Sequence, residues 1–216
     1  MKNYQLIIFD LDGTILDTLE DLKCSLNAAL KKNKLPERSF EEVRRFVGNG
    51  IGMLIRRAVP SDANDNTIRQ VHADFTTHYK VHSTDHTRPY DGITALMEQL
   101  HAAGRKIAVI SNKADYAVQD LCQHYFPDLI DIAVGEKEGV RRKPEPDSVN
   151  EVIRLLSIPK KSVVYIGDSE VDIQTAKNAG IDAVIVEWGF RDRDFLIEQG
   201  ASVLVKTPAE LARLLL

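Results

Sequence analysis

The stretch Gln5-Leu6-Ile7-Ile8-Phe9-Asp10-Leu11-Asp12-Gly13-Thr14 constrains the fold more than any other, because an apolar run there ends abruptly in two carboxylates, a glycine and a threonine. A run of this length bounded by turn residues suits a strand buried on both faces, at the centre of a parallel sheet. Ligands of open α/β sheets sit outside the carboxyl ends of the strands, which puts Asp10 and Asp12 at the reactive edge. Strand residues at i and i+2 point the same way, so the two carboxylates face one space, and Gly13 lets the backbone turn there without Cβ strain. One carboxylate can attack and the other move protons. Taken alone, the pair also fits a calcium loop or a plain turn cap. The calcium reading fails, since no acidic series follows and the last ligand position of a loop begun at Asp10 falls on Asp21 rather than a glutamate.

The rest of the chain decides. Leu19, Leu22, Leu26, Ala29 and Leu30 recur at helical spacing and predict a helix from Asp17 to Lys32, with Asp17 or Thr18 as its N-cap. Further helices are predicted over 40–47, 51–58 and 67–81, separated by Pro36, Gly48-Asn49-Gly50 and the segment from Pro60 to Asn66. No strand signal intervenes, so residues 16–84 read as an inserted helical unit, with Ser83 to Pro89 as its return linker. From Tyr90 onward strands and helices alternate. Strands are predicted over 106–110, 131–134, 162–166, 183–186 and 202–205, with helices over 93–103, 114–124, 147–156, 171–179, 195–199 and 209–215. This alternation implies a parallel sheet with right-handed crossovers and helices on both faces. The expected architecture is a doubly wound, Rossmann-like α/β core of residues 1–15 and 85–216, interrupted by a helical cap of residues 16–84.

Length agrees with this, since 216 residues hold one good core and a second small unit. A hydrophobic share of 44% and a net charge of -4 are ordinary for a globular chain and offer no basic field for nucleic acid. No segment approaches the roughly 18 apolar residues that span a bilayer, and the polar start Met1-Lys2-Asn3-Tyr4 is no signal peptide. A cytoplasmic protein, monomeric or homodimeric and without membrane partners, is expected. Cys24 and Cys122 lie far apart, lack zinc-site spacing, and read as buried thiols. His78 and His82 sit one helical turn apart without the glutamate of a metalloprotease motif, and read as surface residues.

Four polar clusters fall at corresponding places: Asp10 with Asp12, Ser111-Asn112-Lys113, Lys143, and Asp168-Ser169 with Asp172. Three follow predicted strand ends, which in a parallel sheet share one edge. The set suggests phosphoryl transfer. A carboxylate can form an aspartyl-phosphate, an acidic oxygen-rich site suits Mg²⁺, and a hydroxyl with a lysine can hold the remaining phosphate oxygens. Each residue has a plainer competitor. Lys143 lies in the charge run Arg141-Arg142-Lys143, Ser111, Asp168 or Ser169 could cap the helix that follows, and Asp172 could form a surface ion pair.

Asp10-Leu11-Asp12-Gly13-Thr14, Ser111-Asn112, Lys143-Pro144 and Gly167-Asp168-Ser169-Glu170-Val171-Asp172 together resemble, in order and spacing, the four motifs of the haloacid dehalogenase superfamily. The helical insertion looks like that superfamily's small cap. Gly48-Asn49-Gly50, Arg88-Pro89-Tyr90-Asp91-Gly92, Ser111-Asn112-Lys113 and Trp188-Gly189-Phe190 resemble its phosphoglycolate phosphatase branch. The resemblance implies Asp10 as nucleophile, Asp12 as general acid and then base, Ser111 as phosphate binder and Lys143 as the group steadying both nucleophile and phosphoryl charge. It implies Mg²⁺ on the Asp10 carboxylate, the Asp12 carbonyl and the Asp168 carboxylate, with Asp172 and Ser169 behind them. Dehalogenases proper need no Mg²⁺ and lack the second aspartate, so Asp12 argues for a phosphatase acting on a small phosphorylated metabolite, 2-phosphoglycolate first among them. A β-phosphoglucomutase-like mutase, a sugar-phosphate phosphatase, a pyrophosphatase or a scaffold without turnover are the rival expectations. Because the core sees only the phosphoryl group, Gly48, Asn49 and Gly50 are expected to read the leaving group beside Ser111, Asn112 and Lys143. The helix they open would favour a carboxylate at its positive end, with Arg56 or Arg57 adding charge. The plainer reading is an ordinary turn between helices.

Overall fold

A computed structural model describes residues 3–216; Met1 and Lys2, part of the polar start considered above, lie outside the described residues. The elements run β1 (Leu6–Phe9), β2 (Leu16–Asp17), α1 (Leu19–Lys32), α2 (Phe40–Phe46), α3 (Gly50–Ala58), α4 (Asp65–His82), β3 (Arg88–Pro89), α5 (Ile93–Ala102) and β4 (Lys106–Ala114). They continue with α6 (Asp115–Tyr125), β5 (Ile132–Glu136), α7 (Asp147–Leu156), β6 (Val163–Gly167), α8 (Glu170–Ala179), β7 (Asp182–Val186), α9 (Arg193–Glu198), β8 (Leu204–Val205) and α10 (Pro208–Leu215).

Six strands form a parallel sheet in the order β5-β4-β1-β6-β7-β8. From β1 the chain passes to β4 and β5 on one side, then returns to β6, β7 and β8 on the other. The strand order therefore reverses at β1, and the crevice of such a sheet opens at that point. Register fixes the positions: Phe9 pairs with both Val109 and Ile166, so β1 and β6 end nearly level while β4 runs on beyond them.

The period-2 alternation of strand side chains splits the core into two layers. Ile7, Phe9, Val109, Val164 and Ile166 pack against Leu96, Leu100, Leu121 and Leu211 of α5, α6 and α10. Leu6, Ile8, Ala108, Ile110 and Tyr165 pack against Val149, Val152 and Ala176 of α7 and α8. All four residues of β1 are fully buried, which explains a run with no polar alternation. A third cluster joins α1 to α4 through Leu22, Leu26, Val43, Ile55, Phe75 and Tyr79, and it reaches the core through Ala117 and Phe190.

Several sequence readings need correction. The span 16–84 is not wholly helical, because Leu16–Asp17 forms a short antiparallel ribbon with Arg88–Pro89 where the chain enters and leaves the insertion. Two paired residues carry too little pattern to announce a strand. Helix α1 consequently begins at Leu19, and Thr18, though at the cap position, makes no capping bond. Strand β4 does not stop at Ile110 but continues to Ala114 with a shift of register, so Ser111, Asn112 and Lys113 lie within it and Ser111 caps no helix. Finally, Cys24 is half-buried rather than buried, and His78 is half-buried against the Ser25 hydroxyl at 3.0 Å; both cysteines are free.

The return segment is tied back by Asp21, buried in α1, which accepts from the backbone N–H groups of His86 and Thr87 and from the Thr87 hydroxyl. No helix among the described residues is long and apolar enough to cross a membrane.

Candidate active site

Beyond Phe9 the chain leaves the sheet. The Asp10 N–H still donates to the Ile166 carbonyl at 2.8 Å, but the next residues turn back on themselves, with the Gly13 N–H on the Leu16 carbonyl. Gly13 has φ +84°, and a Cβ there would strike the Asp168 carboxylate, so both backbone conformation and close approach require glycine. Asp10 and Asp168 are thereby held side by side at the ends of adjacent strands.

A single ammonium organises the acidic side. Lys143 Nζ donates to Asp10 Oδ1 at 2.8 Å, to Asp172 Oδ1 at 2.8 Å and to the Tyr165 hydroxyl at 3.0 Å, which uses all three of its protons. The Tyr165 hydroxyl in turn donates to the Ile110 carbonyl. Lys143 is therefore no member of a solvated charge run, although Arg141 and Arg142 beside it are exposed. Burial alone would lower its proton affinity, but the carboxylates of Asp10 and Asp172 outweigh this and hold it well above the ordinary lysine value.

Asp172 is fully buried in the first turn of α8. Its second oxygen accepts from the Ser169 hydroxyl at 2.6 Å and from the backbone N–H groups of Asp168 and Ser169. That saturation suits a residue that orients others rather than one that binds a ligand directly. Asp168 accepts at Oδ2 from the Phe190 N–H at 2.7 Å and lies 3.5 Å from the Thr14 hydroxyl, while the Trp188 ring N–H anchors the Thr14 carbonyl. The Trp188-Gly189-Phe190 segment thus fixes the carboxylate at the end of β6.

Carboxylate oxygens of Asp10, Asp168 and Asp172 lie within 4.8 Å of one another, all buried. Three carboxylates against one ammonium leave a buried excess of negative charge. Burial, with repulsion from Asp172, pushes the Asp10 carboxyl up to about 7 despite the pull of Lys143. Asp168 is raised well above the ordinary range by burial and by its neighbours Asp172 and Asp10. Hard oxygen donors with uncompensated charge in one cluster fit a small divalent cation such as Mg²⁺.

Asp12 faces a different partner. Its carboxylate accepts from Lys113 Nζ at 2.8 and 3.0 Å and from the Thr18 hydroxyl at 2.7 Å. Lys113 stands at the end of β4 and is almost wholly buried, with its ammonium 4.8 Å from the ring centre of Tyr79 on α4. Sequence reading placed Lys113 in a cluster but gave it no role, took Thr18 only as a helix cap, and passed over Tyr79 altogether. The available signal was the polar run Ser111-Asn112-Lys113 following directly on an apolar strand.

The crevice between sheet edge and helical insertion has a volume of about 600 Å³ including its open mouth. Asp10, Asp12, Ser111, Asn112, Lys113, Lys143, Asp168 and Ser169 line one wall, and Leu22, Val47, Gly48, Gly50, Ile51 and Leu54 the other. The structure thus brings the four motifs together. Asn112 contributes partly by support, since its amide donates to the Lys143 carbonyl at 3.0 Å. Asn49 turns its carbonyl to Arg142 at 3.3 Å.

The positive charge expected of Arg56 or Arg57 comes from elsewhere. Arg57 donates to the Phe46 carbonyl within the insertion, and Arg56 is exposed, because both fall on the last turn of α3, away from its crevice end. Arg191 lines the crevice instead. It pairs with Glu170 at 2.9 Å and donates to the carbonyls of Arg44 and Val47, clamping the end of α2 to the core.

A six-stranded parallel sheet with paired aspartates at its switch point, a buried lysine and an acidic loop is the arrangement of a class of α/β hydrolases. A sequence profile described as haloacid dehalogenase-like hydrolase matches residues 7–186, and the chain belongs to that family. It is 33% identical over 199 residues to the phosphoglycolate phosphatase of Mesorhizobium japonicum, covering 87% of this chain and 85% of that one. Its fold superposes with a TM-score of 0.95 on a crystal structure from Lactobacillus delbrueckii subsp. bulgaricus, provisionally named a phosphoglycolate phosphatase, at 38% identity over 99% of each chain. A predicted phosphoglycolate phosphatase from Haemophilus somnus gives a TM-score of 0.92 at 27% identity, over 98% of this chain and 97% of that one.

Proposed function

We propose that this chain is a Mg²⁺-dependent hydrolase of small phosphomonoesters that works through an aspartyl-phosphate on Asp10, with 2-phosphoglycolate as substrate. The observation that carries the reading is the division of labour among carboxylates: Asp10 sits in a negative cluster around Lys143, while Asp12, two residues away, belongs to a separate ion pair. Two carboxylates in distinct environments can take distinct roles in one reaction.

In the first half-reaction an Asp10 oxygen attacks phosphorus, the bond from phosphorus to the leaving oxygen breaks, and Asp12 delivers a proton to that oxygen. In the second, Asp12 takes a proton from water, the water oxygen attacks the phosphorus of the aspartyl-phosphate, and Asp10 is freed with release of phosphate. Ser111 holds a phosphoryl oxygen, and the charge of Lys143, whose protons lie on Asp10, Asp172 and Tyr165, steadies both the nucleophile and the phosphoryl group. Mg²⁺, held by the carboxylates of Asp10 and Asp168 and the Asp12 carbonyl, would neutralise phosphoryl charge, and Asp172 and Ser169 orient this set.

Residues 16–84 act as a cap over the crevice of a cytoplasmic enzyme. The Gly48-Asn49-Gly50 turn already touches the core, where a Cβ on Gly50 would lie 3.3 Å from the Asn112 carbonyl. Relatives named phosphoglycolate phosphatase at this identity support the choice of substrate. The test is ³¹P NMR of the protein with Mg²⁺ and a panel of phosphoesters. Inorganic phosphate growing fastest from 2-phosphoglycolate is the expected result. Conversion of one sugar phosphate into another without free phosphate would replace this reading with a mutase.

A further inference from the structure

The part of the crevice that faces the sheet edge is apolar, formed by Leu22, Val47, Ile51, Leu54 and Phe190. A leaving group carrying a carboxylate would lose its hydration there and needs a cation in return. Among the described residues three basic side chains line the crevice: Lys113, Lys143 and Arg191. Lys143 has its three protons on Asp10, Asp172 and Tyr165. Arg191 directs four of its five N–H donors to Glu170 and to two carbonyls of the helical insertion, and its guanidinium is held there by the Glu170 ion pair. Lys113 differs from both. Its ammonium gives hydrogen bonds to the two oxygens of one carboxylate, that of Asp12, and its remaining side faces the ring and hydroxyl of Tyr79, a neutral neighbour that a ligand carboxylate can displace.

The geometry points to Lys113 as the specificity-determining residue: its ammonium pairs with a carboxylate on the leaving group, so that the enzyme selects phosphoesters of small hydroxy acids over those of neutral alcohols. This rests on the phosphatase reading above and deepens it. Position supports the assignment. Lys113 lies two residues beyond Ser111 on the same strand, so the residue proposed to hold the phosphoryl group and the one proposed to hold the carboxylate share a rigid element with a short span between them. That span selects a short ester, since a longer leaving group would carry its charge past the ammonium. Tyr79 closes the far side of Lys113, so choice of substrate draws on both the sheet and the helical insertion.

The test compares 2-phosphoglycolate with 2-hydroxyethyl phosphate, which replaces the carboxylate by a neutral hydroxymethyl group, for the wild type, Lys113→Met and Lys113→Arg, all with Mg²⁺. Wild type is expected to prefer phosphoglycolate by about tenfold or more in kcat/KM, as befits one buried charge-assisted contact. Both substrates will suffer in Lys113→Met because Asp12 loses its partner, so the preference rather than the rate is what is read. It should fall to near one, with the added loss for phosphoglycolate appearing in KM, and return in part in Lys113→Arg. A preference unchanged in a folded Lys113→Met protein would overturn the proposal and leave Lys113 as a support for Asp12 alone. Should Lys113→Met fail to fold, inhibition of wild-type p-nitrophenyl phosphate hydrolysis by glycolate and by ethylene glycol decides, and equal inhibition would overturn it. Phosphate release by wild type from neutral esters but not from phosphoglycolate would defeat the substrate assignment while sparing the phosphatase reading, whereas release from no ester would defeat both.

Discussion

Lys143 Nζ and Asp10 Oδ1 lie 2.8 Å apart, both nearly buried, although 132 other residues separate them in the chain. The ion pair ties the loop after β5 to the end of β1, and it places a positive charge against the oxygen set proposed to attack. Removing one partner of a buried pair strands the other and costs about 3–5 kcal/mol. Lys143→Met should therefore melt well below wild type without metal, since three carboxylates then face one another, and Mg²⁺ should raise its melting temperature more than that of wild type. Thermal melts with and without Mg²⁺ check this; an unchanged Tm would mean that the pair contributes little to the fold.

Asp10→Asn should be inactive, because a neutral amide is a poor nucleophile and a weaker magnesium ligand. Without metal it should be as stable as wild type or more so, because Lys143 keeps Asp172 as its partner and one carboxylate of the buried excess is gone. The sign follows from the raised folded value of about 7. A carboxyl that binds its proton more tightly folded than unfolded contributes stability at low pH, which is lost as pH rises through the folded value. Metal-free wild type should thus lose stability between about pH 4 and 7 relative to Asp10→Asn, as urea melts across that range will show; parallel curves would contradict the assignment.

Asp12→Asn should turn over about 10² to 10⁴-fold more slowly, the usual contribution of general acid–base catalysis. Its Mg²⁺ affinity should change little, since the proposed ligand there is the backbone carbonyl. Titration calorimetry with Mg²⁺ separates the two effects. Affinity falling in step with activity would make the side chain a ligand.

Arg191→Ala releases the end of α2 from the core, because its guanidinium is what joins Glu170 to the Arg44 and Val47 carbonyls. Amide exchange in α2 and α3 should quicken, and kcat/KM should fall by a similar factor for phosphoglycolate and for a neutral ester. A loss confined to phosphoglycolate would instead make Arg191 a reader of the leaving group.

The sheet was legible because β1, β4 and β6 are long apolar runs ending in polar clusters, a pattern that both burial and register demand. The cap helices were legible from Leu22, Leu26 and their neighbours at helical spacing. What escaped the sequence was pairing across space. Nothing local tells that Lys113 rather than solvent meets Asp12, or that Arg191 instead of Arg56 brings positive charge to the crevice, since both depend on how the insertion sits against the sheet. The two-residue ribbon of Leu16–Asp17 with Arg88–Pro89 was likewise hidden, being fixed by chain closure and not by propensity. Gly50, expected in the turn before the helix, is the first residue of α3, and its φ of +77° means that a valine there would strain the backbone whatever the substrate. Lys113 is accordingly the better position from which to question selectivity.

The account turns on Asp10 carrying the phosphoryl group, and acid quenching within the first turnover tests this most directly. The protein is mixed with Mg²⁺ and 2-phosphoglycolate, quenched, digested and mapped by mass spectrometry, with borohydride used to mark an acyl phosphate. The account predicts one phosphoryl group on the peptide containing Asp10, reduction by borohydride at that residue, and no label in Asp10→Asn. Turnover of 2-phosphoglycolate with no labelled peptide, or with the label on Ser111, would contradict it.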